Sequence, residues 1–489
     1  MNARRWTLFY GVAIITHAGV LLGSAEAVVP EGHFTGQLGP LTIVLHLEKS
    51  SEGHLAGTLD SPNQGASGLL CSDLHIEGQA FSFRVPVVNG RWEGVIEDDG
   101  NTLAGTWSQG ASLSLVFRRG LPEPLPGVSV DPAIAPIDAA QLEQVLRKDL
   151  QHALESGVLA RGKPIAVGIG VITPGKRSVF MLGNAPQDAL FEIGSITKTF
   201  TGLALAQLIE QGKVRTETPV RELLPPRLVK KPLGSEITLL DLVTQHSGLP
   251  RLPDNFQPEH PDNPYVDYDT ARLYAFMGRH GVAKPEDTGF LYSNLGFGLL
   301  GRALCNFMGK TYPELVRELV LHPLGLNDTT VTLSFSQQAR FVQGYSVDMK
   351  PIHSWELDAL AGAGALRSTA GDMLGYLEAY LDPDRLKGGT GSGRTLAAAL
   401  RRAQRLEADV GANARIAFAW LYESTSNTYW HNGATGGFTS FAFFSPVRGQ
   451  AAVVLVNMAA DRRGSFADVL GQHIGQRLTG QPATSLSQW

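Results

Sequence analysis

One serine and one lysine stand at a spacing that suits nucleophilic catalysis. Ser195 and Lys198 lie in the segment Phe191-Glu-Ile-Gly-Ser-Ile-Thr-Lys-Thr-Phe200, where the pattern predicts the start of a helix. Residues three apart on a helix share one face. A serine hydroxyl becomes a nucleophile when a base takes its proton, and a lysine in a dry pocket can serve as that base. Ser-x-x-Lys arises by chance about once or twice in a chain this long, but this one stands at the required helix start.

A tyrosine and an asparagine form a second candidate pair, in Leu291-Tyr-Ser-Asn-Leu295. The phenol of Tyr292 could act as an acid or base beside an ammonium group, and the amide of Asn294 could hold a substrate carbonyl. Taken alone, the segment is better explained by a core tyrosine at a helix start with an asparagine cap.

A glycine-rich stretch late in the chain supplies the third candidate, in Trp430-His-Asn-Gly-Ala-Thr-Gly-Gly-Phe438. His431 could give a proton or a positive charge to a substrate carboxylate, and glycines such as Gly433 let a substrate backbone approach closely. The alternative is an ordinary hairpin turn with a histidine on the surface.

The elements that must position these residues indicate an α+β domain over residues 138–480. Helical spacing of apolar residues covers 139–154, 195–211 and 465–478. Short apolar runs predict strands at 165–172, 178–182, 437–445 and 451–457. Strands at both ends with helices between them favour one antiparallel sheet built from both ends of the domain.

Residues 28–120 show a different residue pattern, which predicts a small all-β meander or open barrel. Strand-length apolar runs occur at 41–47, 81–85 and 113–117, and related turn-strand pieces recur at 53–58, 90–95 and 101–106. A proline-rich linker over 121–137 separates this accessory domain from the rest, and 481–489 is expected to be a C-terminal tail. One hypothesis is that the β domain covers the catalytic cleft or mediates association.

The first residues and the charge balance bear on location and partners. Arg4 and Arg5 precede an apolar run, and Ala25-Glu-Ala27 follows it, so residues 1–27 are interpreted as a cleavable signal peptide of a periplasmic or secreted protein. The alternative is an uncleaved membrane anchor. The 489 residues carry 41 Lys plus Arg and 46 Asp plus Glu, a net charge of -5, which gives no basic surface for nucleic acid.

In order and spacing, the three motifs resemble those of the serine β-lactamase and penicillin-binding protein superfamily. Its nucleophile motif is Ser-x-x-Lys, its second motif Tyr-x-Asn matches Tyr292 and Asn294, and its third, Lys/His-Thr-Gly, is approximated by His431-Asn-Gly433. The likeness covers about 138–480 and is greatest to the class C β-lactamase branch, which also holds D,D-peptidases, D-aminopeptidases and β-lactamase-like esterases. It implies a β-lactamase/transpeptidase-like catalytic domain.

The resemblance implies a role for each site residue. Ser195 would be the nucleophile, and Lys198 and Tyr292 would share the base and acid roles. Asn294 would position the substrate, together with His431 and Gly433. The backbone N–H groups of Ser195 and Ala434 would form the oxyanion hole, and water would hydrolyse the acyl-enzyme. No metal or organic cofactor is implied.

Two departures bear on the substrate. His431 stands where typical class C β-lactamases have a permanently charged lysine, and Asn432 replaces a threonine. The expected function is hydrolysis of β-lactams, with a D,D-peptidase, a D-aminopeptidase or a carboxylesterase as alternatives that use the same residues. A non-catalytic penicillin- or cell-wall-binding protein is a further alternative. The expected partner is a small-molecule β-lactam, D-peptide or ester, and the sequence gives no oligomeric state.

Overall fold

A computed structural model describes residues 30–489 except 39–40, 50–54, 62–65, 89, 110, 122–129, 133–134, 287, 389–390, 412–413, 462–463 and 488. The predicted leader, residues 1–27, lies outside the described part of the chain. Within that part, no helix has both the length and the apolar character needed to cross a membrane.

Nine antiparallel strands form the predicted all-β domain. They are β1 (Gly32–Leu38), β2 (Leu41–Lys49), β3 (Leu55–Ser61), β4 (Ala66–Leu70), β5 (Ser72–Glu77), β6 (Ala80–Val85), β7 (Gly90–Ile96), β8 (Thr102–Gln109) and β9 (Ala111–Arg119).

The nine strands curl into a nearly closed barrel. Their spatial order is β4-β3-β2-β1-β9-β8-β7-β6-β5, so the first and last strands pair in the middle of the sheet. The two edge strands follow each other in the chain, and the Cys71 N–H between them donates to the Gly57 carbonyl at 2.9 Å. Aromatic rings fill the interior, with Phe83 stacked on Trp92 at 5.6 Å between ring centroids. The expected meander or open barrel is confirmed.

The remaining strands belong to the second domain. They are β10 (Val130–Asp131), β11 (Ala166–Thr173), β12 (Lys176–Gly183), β13 (Phe191–Glu192), β14 (Gly344–Tyr345), β15 (Pro351–Ile352), β16 (Arg367–Ser368), β17 (Ala408–Gly411), β18 (Ala414–Ile416), β19 (Leu421–Glu423), β20 (Thr428–Ala434), β21 (Thr439–Ser445), β22 (Gln450–Val456) and β23 (Ala483–Thr484).

Eight of these strands form one antiparallel sheet in the order β12-β11-β22-β21-β20-β19-β18-β17. β11, from the start of the domain, therefore lies between its hairpin partner β12 and the late strand β22. Every residue of β11 and β21 is buried, as expected for strands covered on both faces. The sheet built from both ends of the domain, predicted from the sequence, is confirmed.

Helices cover both faces of this sheet. They are α1 (Ala139–Asp149), α2 (Gln151–Glu155), α3 (Thr197–Glu210), α4 (Leu239–Val243), α5 (Thr270–His280), α6 (Asn294–Met308), α7 (Tyr312–Val316), α8 (His322–Leu324), α9 (Phe335–Gln338), α10 (Ala361–Gly364), α11 (Ala370–Leu381), α12 (Gly391–Ala403) and α13 (Phe466–Thr479).

Two apolar clusters show how the layers pack. α1 and α13 pack against one face of the sheet, and α3, α6 and α11 belong to the larger cluster on the other face. Every residue of α3 from Thr197 to Leu208 is buried. This pattern is typical of a central helix and not of an amphipathic surface helix. The functional residues at the start of α3 are therefore held on a rigid element.

Three predicted boundaries differ from the structure. The helix expected over 139–154 is interrupted at Leu150, and the helix expected from Ser195 begins with a 3-10 turn, Gly194–Ile196. The linker and the tail are partly ordered, because β10 pairs with β23 and Trp489 packs on Phe466 at 5.0 Å between ring centroids. Pairing between these two short strands was not visible in either segment alone.

Candidate active site

The 3-10 turn before α3 places Ser195 against the end of β20. Gly194 has φ +49°, and a Cβ on it would come within 2.7 Å of the Ala434 nitrogen. Only glycine combines this left-handed backbone with such a close approach. The turn therefore brings the Ser195 side chain and the end of β20 to one small cavity, which both Ser195 and Ala434 line.

The Lys198 side chain is fully buried beside Ser195. Its Nζ lies 2.9 Å from Ser195 Oγ, 2.8 Å from Asn294 Oδ1 and 2.8 Å from the Ala363 carbonyl oxygen. The two amide oxygens can only accept hydrogen bonds. A neutral amine that donates to both oxygens therefore turns its lone pair toward the Ser195 hydroxyl, which is the geometry needed to take the serine proton.

The surroundings of Lys198 favour this neutral form. Burial lowers the pKa of Lys198 well below its usual value, and the positive charge of Arg251 lowers it further. Removal from water disfavours an ammonium ion because the interior cannot replace its hydration. The site thus holds a buried amine whose lowered pKa favours the neutral, proton-accepting form.

Tyr292 lies directly before α6, on the other side of Ser195. Burial raises the pKa of Tyr292 to about 12, although the Arg251 charge and a hydrogen bond with the Ser195 side chain oppose the rise. The phenol therefore keeps its proton at neutral pH and can donate it. Its ring centroid is 4.8 Å from Lys198 Nζ, so an acid and a base adjoin the same serine.

The start of α6 fixes both members of the second motif. Ser293 caps the helix, since its Oγ accepts from the Gly296 N–H at 2.8 Å. The Arg251 carbonyl accepts from the Asn294 N–H at 3.0 Å. The Asn294 side chain joins two site residues, because its Oδ1 accepts from Lys198 and it also hydrogen-bonds Tyr265. Asn294 is thus placed by the fold to hold Lys198.

Gly433 makes the contact between β20 and the nucleophile turn. A Cβ at this position would lie 2.1 Å from the Ile193 carbonyl oxygen and 2.9 Å from the Ser195 nitrogen. Ser440 on β21 adds a hydrogen bond from its Oγ to the same carbonyl at 2.9 Å. Two backbone segments therefore converge where the N–H groups of Ser195 and Ala434 could stabilise an oxyanion.

His431 reaches the site but is uncharged at neutral pH. Its side chain is buried, with its ring centroid 6.4 Å from that of Tyr292. Burial lowers the pKa of His431 to about 3, and Lys198 in its protonated form acts in the same direction. Nδ1 lies 2.6 Å from the Asn432 carbonyl oxygen, which can only accept, so Nδ1 carries the single proton. This neutral state does not favour the expected role of a charged His431 in binding a substrate carboxylate, and that role stays a prediction.

Asn432 has a structural partner that explains its departure from threonine. Its Nδ2 donates to Asp468 Oδ2 on α13 at 2.9 Å. The strand that carries His431 and Gly433 is thereby joined to the helix behind the sheet. The side chain of Asn432 supports this strand from the face opposite the nucleophile.

The geometry of the site can now be compared with known proteins. The family model described as Beta-lactamase matches residues 151–472, well over half of the chain. The chain belongs to the beta-lactamase family. The match includes every site residue named above and begins after the β-barrel has ended. The chain is therefore a member of a family of serine hydrolases.

Relatives of the chain carry different names. D-alanyl-D-alanine-carboxypeptidase/endopeptidase AmpH of Escherichia coli (strain K12) is 30% identical over 55% of this chain and 71% of its own. A beta-lactamase of Pseudomonas fluorescens is 30% identical over 49% of this chain and 67% of its own. Penicillin-binding protein 4 of Amycolatopsis lactamdurans is 27% identical over 67% of this chain and 84% of its own length. These names span several activities of the beta-lactamase family.

Four neighbours of this beta-lactamase-family site were not found from the sequence. Tyr265 and Trp355 line the cavity at Ser195, the Ala363 carbonyl holds Lys198, and Arg251 acts on Lys198 and Tyr292 through its charge. Arg251 directly follows the segment Ser247-Gly-Leu-Pro250, but no motif of the sequence analysis included it. Nothing in the sequence distinguished the other three from ordinary core residues.

Asp468, the partner of Asn432, gives the first testable prediction. Burial raises the pKa of Asp468 to about 6, although hydrogen bonds from Asn432 and Ser465 oppose the rise. A folded-state pKa above the unfolded one means that the stabilising contribution is complete below the unfolded pKa and is lost as pH rises through about 6. Relative to Asp468→Asn, the wild-type free energy of unfolding should fall between pH 4 and pH 8 by up to ~3 kcal/mol.

Denaturant unfolding of both proteins at several pH values measures this difference. Asp262→Asn, at an exposed carboxylate, is the matched control and should follow the wild type at every pH. A constant difference between Asp468→Asn and the wild type from pH 4 to pH 8 would refute the prediction.

Proposed function

We propose that the protein is an exported serine hydrolase that acts through an acyl-enzyme on Ser195 and hydrolyses β-lactams. The observation that carries the proposal is the position of Lys198 Nζ, 2.9 Å from Ser195 Oγ with two acceptor-only oxygens as its other partners. A buried base aimed at a serine hydroxyl supports nucleophilic attack on a carbonyl carbon.

In the acylation step, Ser195 Oγ forms a bond to the substrate carbonyl carbon while its proton passes to Lys198. The N–H groups of Ser195 and Ala434 bind the resulting oxyanion. The bond to the leaving nitrogen, oxygen or sulfur then breaks, and Tyr292 donates a proton to that atom. The proton held by Lys198 then restores the phenol, so the net result is the loss of one proton by Ser195 and the gain of one proton by the leaving group.

Deacylation repeats these steps with water. A water molecule attacks the acyl carbon, its proton passes to the same base system, and the bond to Ser195 Oγ breaks with return of the proton. The products are the free acid and the regenerated serine. The same residues therefore act as base and acid in both halves of the reaction.

A D-peptidase or esterase is the second candidate, and the neutral His431 favours it. Because burial lowers the pKa of His431 to about 3, the third motif lacks the permanent charge that a lysine would offer a β-lactam carboxylate. The relative named as a D-alanyl-D-alanine-carboxypeptidase/endopeptidase supports this candidate as well.

Turnover of three substrate classes tests the proposal. A chromogenic cephalosporin, a peptide ending in D-alanyl-D-alanine and p-nitrophenyl acetate are each incubated with protein lacking residues 1–27. Intact-mass spectrometry of quenched samples detects the acyl-enzyme. We expect hydrolysis with an acyl adduct on Ser195, with the cephalosporin as the fastest substrate.

Two serine variants serve as controls. Ser195→Ala should show neither turnover nor adduct, while Ser156→Ala, at an exposed serine bonded only to His152 among its described contacts, should match the wild type. Turnover that persists in Ser195→Ala would refute the nucleophile. Hydrolysis of only the peptide or the acetate would replace the β-lactam assignment with the second candidate.

The dependence of kcat/KM on pH should show no effect of His431 ionisation near neutral pH. Burial lowers the pKa of His431 to about 3 and also lowers the pKa of Lys198. Activity should therefore rise with pH as Lys198 loses its proton and should not fall as pH passes 6.5. We expect kcat/KM for a carboxylate-bearing substrate to show the same rising limb in the wild type and His431→Gln.

Measurement of kcat/KM from pH 4.5 to pH 9 makes the comparison. A decline above pH 6 that disappears in His431→Gln would show that a charged His431 binds the carboxylate after all.

A further inference from the structure

The cavity that Ser195 lines is too small for a substrate. Its volume is about 20 Å³, room for roughly one water molecule. A carbonyl group can reach the serine there, but the rest of the substrate must lie elsewhere. The position of the neighbouring cavities therefore decides which substrates fit.

A second cavity, of about 290 Å³, is lined in part by Tyr292. That volume is close to the lower end of small-molecule sites, which begin near ~300 Å³. Ten of its lining residues come from the barrel, including Leu41, Trp107 and Leu113, and seven come from the catalytic domain, including Phe256 and Tyr292. The barrel is thus part of the wall of a pocket that begins at the proton donor.

The wall of this pocket is mostly apolar, and its polar side chains are those of Ser61, Gln109, Tyr292 and Arg251. Arg251 is the one charged residue among the described residues that line it. Its guanidinium carbon lies 5.2 Å from the Tyr292 ring centroid, and no carboxylate of the described chain lies within ion-pair distance of it. The Arg251 carbonyl holds the N–H groups of Asn294 and Leu295, so the backbone that carries this cation is fixed.

We propose that this pocket binds the leaving group of the substrate, and that the preferred leaving group carries a bulky apolar side chain and a carboxylate. The inference rests on the proposed function, in which Tyr292 protonates the leaving atom. A pocket that begins at Tyr292 lies on the leaving-group side of the bond that breaks. Its apolar wall takes the side chain, and Arg251 supplies the positive charge that His431 does not.

Thioesters that share one acyl group test this preference. Benzoylglycyl thioesters of mercaptoacetate, of 2-mercapto-3-phenylpropanoate and of the methyl ester of the latter differ in the apolar group and in the carboxylate. Thiol release is followed with a thiol reagent. For the wild type we expect kcat/KM at least about tenfold higher for the phenylpropanoate than for the mercaptoacetate.

Paired variants separate the two features of the pocket. Leu113→Asp places a charge in the wall at a residue that is 51% exposed, so folding should be unaffected, and the preference for the phenyl group should be lost. Leu70→Asp, at an exposed barrel leucine outside the pocket wall, should retain it. Arg251→Gln should lower kcat/KM for the two acids by about tenfold relative to the methyl ester, whereas Arg118→Gln should not.

Binding to the inactive protein distinguishes failure of this inference from failure of the proposed function. Titration calorimetry measures the affinity of 2-mercapto-3-phenylpropanoate for Ser195→Ala, with and without Leu113→Asp. Binding that Leu113→Asp weakens, without turnover by the wild type, would uphold the pocket and refute the hydrolase. Turnover with equal rates for the two acids, or equal effects of Leu113→Asp and Leu70→Asp, would overturn the pocket.

Discussion

Lys198→Met should lower kcat/KM by about 10²- to 10⁴-fold, the range for loss of a positioned base. Methionine has nearly the length of lysine but offers no lone pair to the Ser195 hydroxyl, which Lys198 Nζ now approaches at 2.9 Å. Steady-state kinetics on the best substrate of the panel measures the loss. The rising limb of the pH profile should disappear with the lysine, because that limb reports its deprotonation.

The effect of Lys198→Met on folding must be measured alongside. The change leaves the Asn294 Oδ1 and the Ala363 carbonyl without their Lys198 donor, but it also removes a buried amine whose burial is unfavourable when charged. Circular dichroism and thermal unfolding show whether the variant is folded. Lys148→Met, at an exposed lysine in α1, is the matched control. A folded Lys198→Met protein with full activity would show that another group is the base.

Gly433→Ala should lower kcat by about 10²- to 10³-fold, the cost of losing an oxyanion donor. The added Cβ would lie 2.1 Å from the Ile193 carbonyl oxygen and 2.9 Å from the Ser195 nitrogen. The nucleophile turn must therefore move away from β20, and the N–H groups of Ser195 and Ala434 can no longer meet at one point. Since the oxyanion is absent from the bound substrate and develops only as the tetrahedral intermediate forms, KM should change much less than kcat.

Gly371→Ala is the control for the glycine substitution. Its added Cβ would meet no atom nearer than 3.7 Å, and it lies in the first turn of α11. Kinetics of the two alanine variants on one substrate make the comparison. Equal kcat values in the two variants would mean that the contact between β20 and the nucleophile turn does not shape the oxyanion site.

The part of the site that the sequence predicted is the part carried by local motifs. Ser195 and Lys198 share a helix start, so their contact follows from helix geometry. Tyr292 and Asn294 stand around the start of α6, and Gly433 ends a strand. The three motifs meet because the fold brings the starts of α3 and α6 and the end of β20 to one place. The order of the motifs along the chain had indicated that they belong to one site.

The rest of the site depends on distances that no single segment encodes. The partner of Lys198 at Ala363 is 165 residues away in the chain, and Asn432 meets Asp468 on a helix behind the sheet. The neutral state of His431 is a consequence of burial, which a sequence motif does not report. The cavity beside Tyr292 depends on where the barrel packs against the second domain, whereas the sequence pattern predicted only the strands of the barrel.

The place of β11 in the sheet has a consequence for how the enzyme is made. Ser195 and Lys198 leave the ribosome early, but Gly433 and Ala434 follow them by more than two hundred residues, and β22, the second neighbour of β11, comes later still. Pairings between distant segments form slowly because a long loop must close first. We therefore expect the proposed oxyanion site at Ser195 to form only after β20 has been synthesised and has paired with β21.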